Sequence, residues 1–332
     1  MLNRFLGILI FVLSILTAWG WMQYDHFIKS PLNLPPEGLI YDLKPGSSVN
    51  SLAAELAAAG VIESPLMLRL YARLTDQARG LKAGEYEIPA GTTPGDLLGI
   101  LSSGKVLQHA LTLVEGWTFA QMMRAVERHD ALEHTLIDLS PEEVMQRIGH
   151  PGEHPEGRFY PDTYHFPRGT TDEDFLRRAY QNMQHFLASE WEQRQADLPL
   201  ATPYEALILA SIVERETAVP EERSRIAGVF IRRLRKGMRL QTDPTVIYGM
   251  GERYDGNIRR RDLEADTPYN TYVHNGLTPT PIAMPSGDAI RAVCHPEAGD
   301  ALYFVATGDG GHHFSATLEA HNRAVRKYQL RH

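Results

Sequence analysis

A single cysteine, Cys294, stands among 332 residues. One thiol makes neither an intramolecular disulfide nor a cysteine-based metal cluster, so the fold does not depend on an oxidising or a reducing compartment. An excess of positive charge is also missing, with 33 Lys and Arg against 41 Asp and Glu and a formal net charge of −8. Nucleic-acid binders normally carry a basic excess or stripe, and no nucleic-acid partner is expected. Compositional bias is absent: 43% of residues are hydrophobic, 22% charged, with 27 Gly and 21 Pro. That excludes wholesale disorder and collagen-like architectures, and the length suits about two domains. The chain has 14 histidines. Neither His150, His154 and His165 nor His312, His313 and His321 form an H-E-x-x-H helix or another tight ligand pattern, so no metal and no cofactor are expected.

What is present begins with an uncharged apolar run from Phe5 to Met22, followed by Tyr24. It is about the shortest length that spans a bilayer as a helix. Trp19, Trp21 and Tyr24 fall where an interfacial aromatic belt belongs. A cleaved signal peptide is disfavoured, because its best site, Ala18-Trp19-Gly20, carries a bulky Trp inside the apolar run. Arg4 precedes the span, while Asp25 and Lys29 cancel after it. The positive-inside rule then puts the N-terminus in the cytoplasm and the bulk of the chain across the membrane. Residues 1–25 are expected to be cytoplasmic tip and anchor, and the proline-rich stretch within 26–38 an extended linker.

A strand end, a Gly turn and a Ser or Thr two residues later recur three times: Gly46 with Ser48, Gly91 with Thr93, Gly116 with Thr118. Each hydroxyl is placed to N-cap a helix. Helices over 51–59 and Pro65–Leu74, flanked by strand-like runs, give a βααβ pattern over 39–88. It resembles a LysM-like module, a fold associated with glycan chains, and equally fits an ordinary small α+β subdomain. The expected fold class is α+β: a transmembrane helix, a LysM-like subdomain over 39–108 and a mixed α+β domain over 109–332.

The stretch Glu205–Thr217 predicts a helix capped by Thr202, with Pro203 in its first turn. Ala206 to Val213 are almost all apolar, so the helix is buried on every face. It ends in Glu214, Arg215 and Glu216. A carboxyl at a buried helix C-terminus is pushed toward its protonated form, as a general acid near neutral pH requires. Glu214 and Glu216 lie about 200° apart around the helix and cannot both face one substrate. One could be the acid while the other pairs with Arg215, Arg223 or Arg225; periodicity alone does not choose. Asp243 before Pro244 reads as a helix cap. Gly308–Gly311 between two strand-like runs reads as a hairpin turn. Cys294-His295 is set aside as a nucleophilic pair, since neighbours in sequence do not fix each other's orientation.

Several of these segments together resemble the YceG-like endolytic murein transglycosylases, the MltG family. They are Ser211-Ile-Val-Glu-Arg-Glu-Thr217, Arg239-Leu-Gln-Thr-Asp-Pro-Thr-Val-Ile-Tyr-Gly249, Tyr269-Asn-Thr-Tyr272, Leu302-Tyr-Phe-Val305, Gly310-Gly311-His312 and His321-Asn322. One stretch departs from the family pattern: Thr278 and Thr280 stand where a Pro and a Gly are usual. The resemblance implies cleavage of the MurNAc–GlcNAc β-1,4 bond of nascent peptidoglycan strands without water, leaving a 1,6-anhydro end and limiting strand length. It implies Glu216 as the acid/base residue, with Glu214 in support. One carboxyl can suffice there, because the substrate's own C6 hydroxyl is the nucleophile, whereas a hydrolysing glycosidase needs two. Gln241, Asp243, Asn270 and Tyr272 occupy family-like motifs and are the candidates to hold the sugars. The resemblance also implies a single-pass inner-membrane protein, largely periplasmic, working beside peptidoglycan synthases. The alternative is a membrane-tethered, non-catalytic glycan-binding protein of the cell wall.

Overall fold

Gly46, Gly91 and Gly116 turn the chain at φ of 78°, 84° and 75°, a region that favours glycine. Two residues beyond each turn, Ser48, Thr93 and Thr118 close capping boxes with Ser51, Asp96 and Gln121. The three repeats are therefore one local device used three times. The structure is a computed structural model that describes residues 2–329. It is mixed α+β and divides into two compact units, residues up to His109 with His165–Arg168, and Ala110–Tyr164 with Gly169 onward.

The first unit opens with helix α1 (Leu2–Lys29). Its stretch Arg4–Lys29 is long and apolar enough to cross a membrane, and none of its most apolar window is buried in the protein. Strands β1 (Leu39–Leu43) and β2 (Gly84–Ile88) pair antiparallel, with Tyr41 opposite Tyr86. Helices α2 (Val49–Ala58) and α3 (Pro65–Leu74) lie between them in sequence, and α4 (Pro94–Ser103) follows. Leu52, Leu68, Tyr86 and Leu97 are fully buried at the centre. The expected linker divides into two parts. His26–Lys29 complete α1. Residues 30–38 are irregular, with a turn at Pro36-Glu37 closed by Gly38 N–H on Pro35 O, and are docked: Leu32 is buried, its N–H donates to Thr92 O at 2.8 Å, and Asn33 N–H donates to Val61 O at 3.0 Å.

Strand β3 (Gln108–Thr112) carries the chain into the second unit. There follow α5 (Phe119–Glu127), β4 (Leu132–Glu133), α6 (Pro141–Arg147), β5 (Thr163–Pro167), β6 (Thr170–Thr171) and α7 (Asp172–Glu192). Then come α8 (Pro203–Glu216), α9 (Arg223–Arg235), α10 (Asp243–Met250), α11 (Arg260–Glu264) and α12 (Gly287–Cys294). Helix α8 is the axis of this unit, with α7, α9, α10 and α12 packed around it. Ala206 through Val213 are all buried. The one polar residue among them, Ser211, is satisfied: it donates to Ile208 O at 2.7 Å and accepts from Ile282 N–H at 2.9 Å. The chain closes on an antiparallel hairpin, β7 (Tyr303–Ala306) and β8 (His312–Ser315), and on α13 (Leu318–Tyr328).

Candidate active site

Helix α8 ends where the sequence places its end, and Thr217 leaves it in extended conformation. The two glutamates of the last turn go separate ways, as their angular separation demands. Glu214 is enclosed: Ser286 donates to it from its N–H at 2.9 Å and its hydroxyl at 2.5 Å. Arg223 lies 3.6 Å from its other oxygen. Glu216 accepts from one partner among the described residues, the hydroxyl of Thr242. Burial pushes the Glu216 carboxyl from its ordinary value near 4.5 up to about 7; Asp243 adds to the rise, and Thr242, His312 and Arg233 oppose it.

Two open cavities meet at this carboxyl. One, of about 800 Å³, is lined by Glu115, Asp162, Glu214, Arg215 and Arg223. The other, of about 520 Å³, is lined by Arg233, Gln241, Asp243, Tyr272, Tyr303 and His321. Among the described residues, Glu216 is the only one common to the two linings. The second cavity has an aromatic wall, where Tyr303 stacks on His321 with ring centroids 5.2 Å apart and the Arg233 guanidinium lies 5.1 Å from the Tyr303 ring. Arg233 is itself buried, held by the carbonyls of Leu302 at 2.7 Å and Leu240 at 2.6 Å.

Gln241, Asp243 and Tyr272 thus come together beside Glu216. Gln241 sits at φ 52°, a left-handed conformation rare outside glycine. Asp243 corrects an expectation: it is the first residue of α10 and not its cap, which is Thr242. Its carboxylate instead accepts the Tyr272 hydroxyl at 2.6 Å. Asn270 also differs from expectation. It is buried, its amide N–H groups go to the carbonyls of Asp262, Leu263 and Ala265, and its oxygen accepts Tyr272 N–H. It lines neither cavity. All its polar atoms shape the loop that presents Tyr272.

Thr278 and Thr280 are buried and bonded locally, Thr278 to Thr280 O and Thr280 to Pro281 O, both at 2.8 Å. Glu156 is a functional candidate that sequence reading missed. It is buried, accepts from Phe119 N–H at 2.9 Å and the Tyr248 hydroxyl at 3.0 Å, and burial carries it up to about 7. It lines a separate cavity of about 580 Å³. Lying between a Pro and a Gly in a loop, it carries no periodic signal that would mark it.

The histidines are dispersed. His312 Nδ1 lies 2.6 Å from the Glu222 carboxylate, and His150 stacks on Tyr180. Among the described residues no three His, Cys, Asp or Glu side chains group as metal ligands. Cys294 is buried, and desolvation pushes its thiol up to about 11.

The YceG-like family profile matches residues 41–327. The chain belongs to the YceG-like family. The endolytic murein transglycosylase of Bacillus subtilis (strain 168) is 32% identical to this YceG-like chain, covering 93% of it and 90% of the relative. That of Streptococcus pneumoniae (strain D39) is 28% identical, covering 95% of this chain but 63% of the longer relative. The crystal structure of a yceG-like protein from Listeria monocytogenes superposes with a TM-score of 0.56 at 29% identity, over 87% of this chain and 99% of that one. Sequence similarity thus extends along most of this YceG-like chain, and the Listeria protein shares its architecture.

Proposed function

We propose that this chain is a membrane-anchored endolytic lytic transglycosylase of peptidoglycan, with Glu216 as its acid and base. The observation that carries the reading is that, among the described residues, Glu216 alone lines both cavities. A bond broken inside a long strand needs room for sugars on both sides of the acid. A carboxyl raised to about 7 still holds its proton near neutral pH. Glu216 gives that proton to the glycosidic oxygen between MurNAc and GlcNAc as the bond to C1 breaks. The C6 hydroxyl of the MurNAc then bonds to C1 and returns its proton to the Glu216 carboxylate. The 1,6-anhydro end forms, and the enzyme is restored with no water consumed. Gln241, Asp243 and Tyr272 hold sugar hydroxyls on one side, while Asn270 shapes their loop. Glu214 supports by fixing the end of α8 through Ser286 and Arg223.

The βααβ part of the first unit is read as a LysM-like glycan-binding subdomain within 39–108, the catalytic domain as 109–332. Helix α1 is read as a single-pass inner-membrane anchor with the bulk of the chain periplasmic, close to peptidoglycan synthases and nascent strands.

The test is to incubate the full chain in detergent micelles with uncrosslinked glycan strands and read the products by mass spectrometry. Fragments one water lighter than hydrolysis products, lost in Glu216→Gln and kept in Glu214→Gln, are expected. Hydrolysed ends, or turnover by Glu216→Gln, overturn the reading.

A further inference from the structure

Every other serine or threonine at a helix N-cap among the described residues, from Ser48 to Thr317, has its hydroxyl accept a backbone N–H of the first turn. Thr242, at the N-cap of α10, makes no such bond. Forgoing that cap gives up a bond that stabilises the start of a helix. Its hydroxyl is instead turned to Glu216 Oε1, as donor.

The backbone around Thr242 is held to make this possible. Thr242 N–H donates to Thr271 Oγ1 at 3.1 Å, and Thr245 Oγ1 donates to Thr242 O at 2.7 Å. The Thr245 and Thr271 hydroxyls meet at 2.9 Å. Gln241 N–H donates to Thr271 O at 3.2 Å, while Gln241 itself is in the left-handed region. Thr242, Thr245 and Thr271 are all buried. A strained residue next to a fully bonded buried cluster is the pattern of a side chain aimed for a task.

We propose that Thr242 is a positioning residue for the reaction, whose hydroxyl, set by the Thr245–Thr271 pair, occupies Glu216 Oε1 and so leaves the transferable proton on Oε2. This rests on the reading of Glu216 as the acid. An oxygen that accepts an O–H donor is a poor place for a second proton, so the carboxyl presents one defined oxygen to the glycosidic bond. A freely rotating carboxyl would present either. The same bond acts on the charge state of Glu216. Burial raises the carboxyl, Asp243 from α10 raises it further, and the Thr242 hydroxyl, His312 from β8 and Arg233 from α9 lower it. The Tyr272 phenol also faces it and is neutral near pH 7. Removing the hydroxyl therefore raises the pKa of Glu216.

The test uses the full chain in micelles on uncrosslinked strands, with Thr242→Val, Thr242→Ser and Glu216→Gln. For Thr242→Val, kcat should fall roughly ten- to a hundredfold, as expected for a general acid that is present but mis-set. KM should hold within about twofold, since a hydroxyl turned to Glu216 takes no part in ground-state binding. The alkaline limb of the kcat profile should move to higher pH, and Thr242→Ser should restore both rate and limb. If valine is not tolerated in the buried slot, Thr242→Ala removes the same hydroxyl with less bulk. A folded Val or Ala variant with an unmoved limb, or a Ser variant that rescues neither, overturns the inference. Turnover by Glu216→Gln would instead overturn the underlying reading, whatever Thr242 does.

Discussion

Replacing Glu216 with Gln should make the folded chain more stable, and increasingly so as pH rises. The carboxyl stands near 4.5 in the unfolded chain and is carried by burial to about 7 in the folded one. Below the lower value both states hold the proton, and Glu and Gln behave alike. Between the two values the unfolded chain ionises freely while the folded chain resists, so wild-type stability falls with rising pH. Above the upper value the full penalty is present. The gap of about 2.5 between the two values, at about 1.4 kcal/mol each, gives an upper figure of about 3.5 kcal/mol. Glu216 is partly open to its cavities, and solvent screening reduces this to about 1–2 kcal/mol. Gln ionises in neither state. Glu156, raised to a similar value, is present in both proteins and cancels in the difference. Guanidinium unfolding of the full chain in micelles, followed by Trp117 and Trp191 fluorescence, measures the difference at pH 4.5 and pH 8. A difference that is flat with pH, or that favours the wild type more at pH 8, would refute the assignment of a raised carboxyl.

Glu214→Gln keeps an acceptor for Ser286 but strips Arg223 of its buried anionic partner. It should cost about 1–3 kcal/mol in stability while losing far less turnover than Glu216→Gln, measured by melting and strand cleavage in parallel. Tyr272→Phe removes the 2.6 Å hydrogen bond to Asp243. It should raise KM roughly three- to tenfold with a smaller change in kcat, as expected for loss of ground-state binding. Gly157→Ala places a Cβ 2.5 Å from Pro281 Cβ at φ 74°. It should destabilise by about 2–4 kcal/mol, seen as a lowered Tm, and a neutral result would mean that the loop yields.

The parts legible in the sequence are those specified by neighbours in the chain. Thr202 caps α8, Pro203 begins it and the apolar run keeps it buried, all within one short segment. The three Gly-and-hydroxyl turns and the C-terminal hairpin are local in the same sense. What escaped depends on partners far away in sequence. Thr242 and Asp243 look like ordinary cap residues until Glu216 and Tyr272 arrive beside them. Asn270 stands in a motif that suggests sugar binding, yet folding consumes every polar atom it has. Residues 30–38 have the composition of a linker, and only Thr92 and Val61 reveal that they are docked. Arg233 appears as one of five arginines on an amphipathic helix, and its burial comes from the carbonyls of Leu240 and Leu302.

Helix α1 does not end with its apolar stretch. It runs on to Lys29, and its last part packs on α3 and α4 of the same unit. The segment between Met22 and Lys29 adds about 10 Å of rigid rod at 1.5 Å per residue. A helix that continues directly into the unit it supports is a post and not a rope. With α1 spanning the bilayer as proposed, the first unit would be held at a set height above the lipid headgroups, its heading locked to the rotation of α1. Under the proposed glycan-binding role, a sugar polymer farther from the bilayer than that height would be out of its reach, which would confine the first unit to strands near the membrane surface.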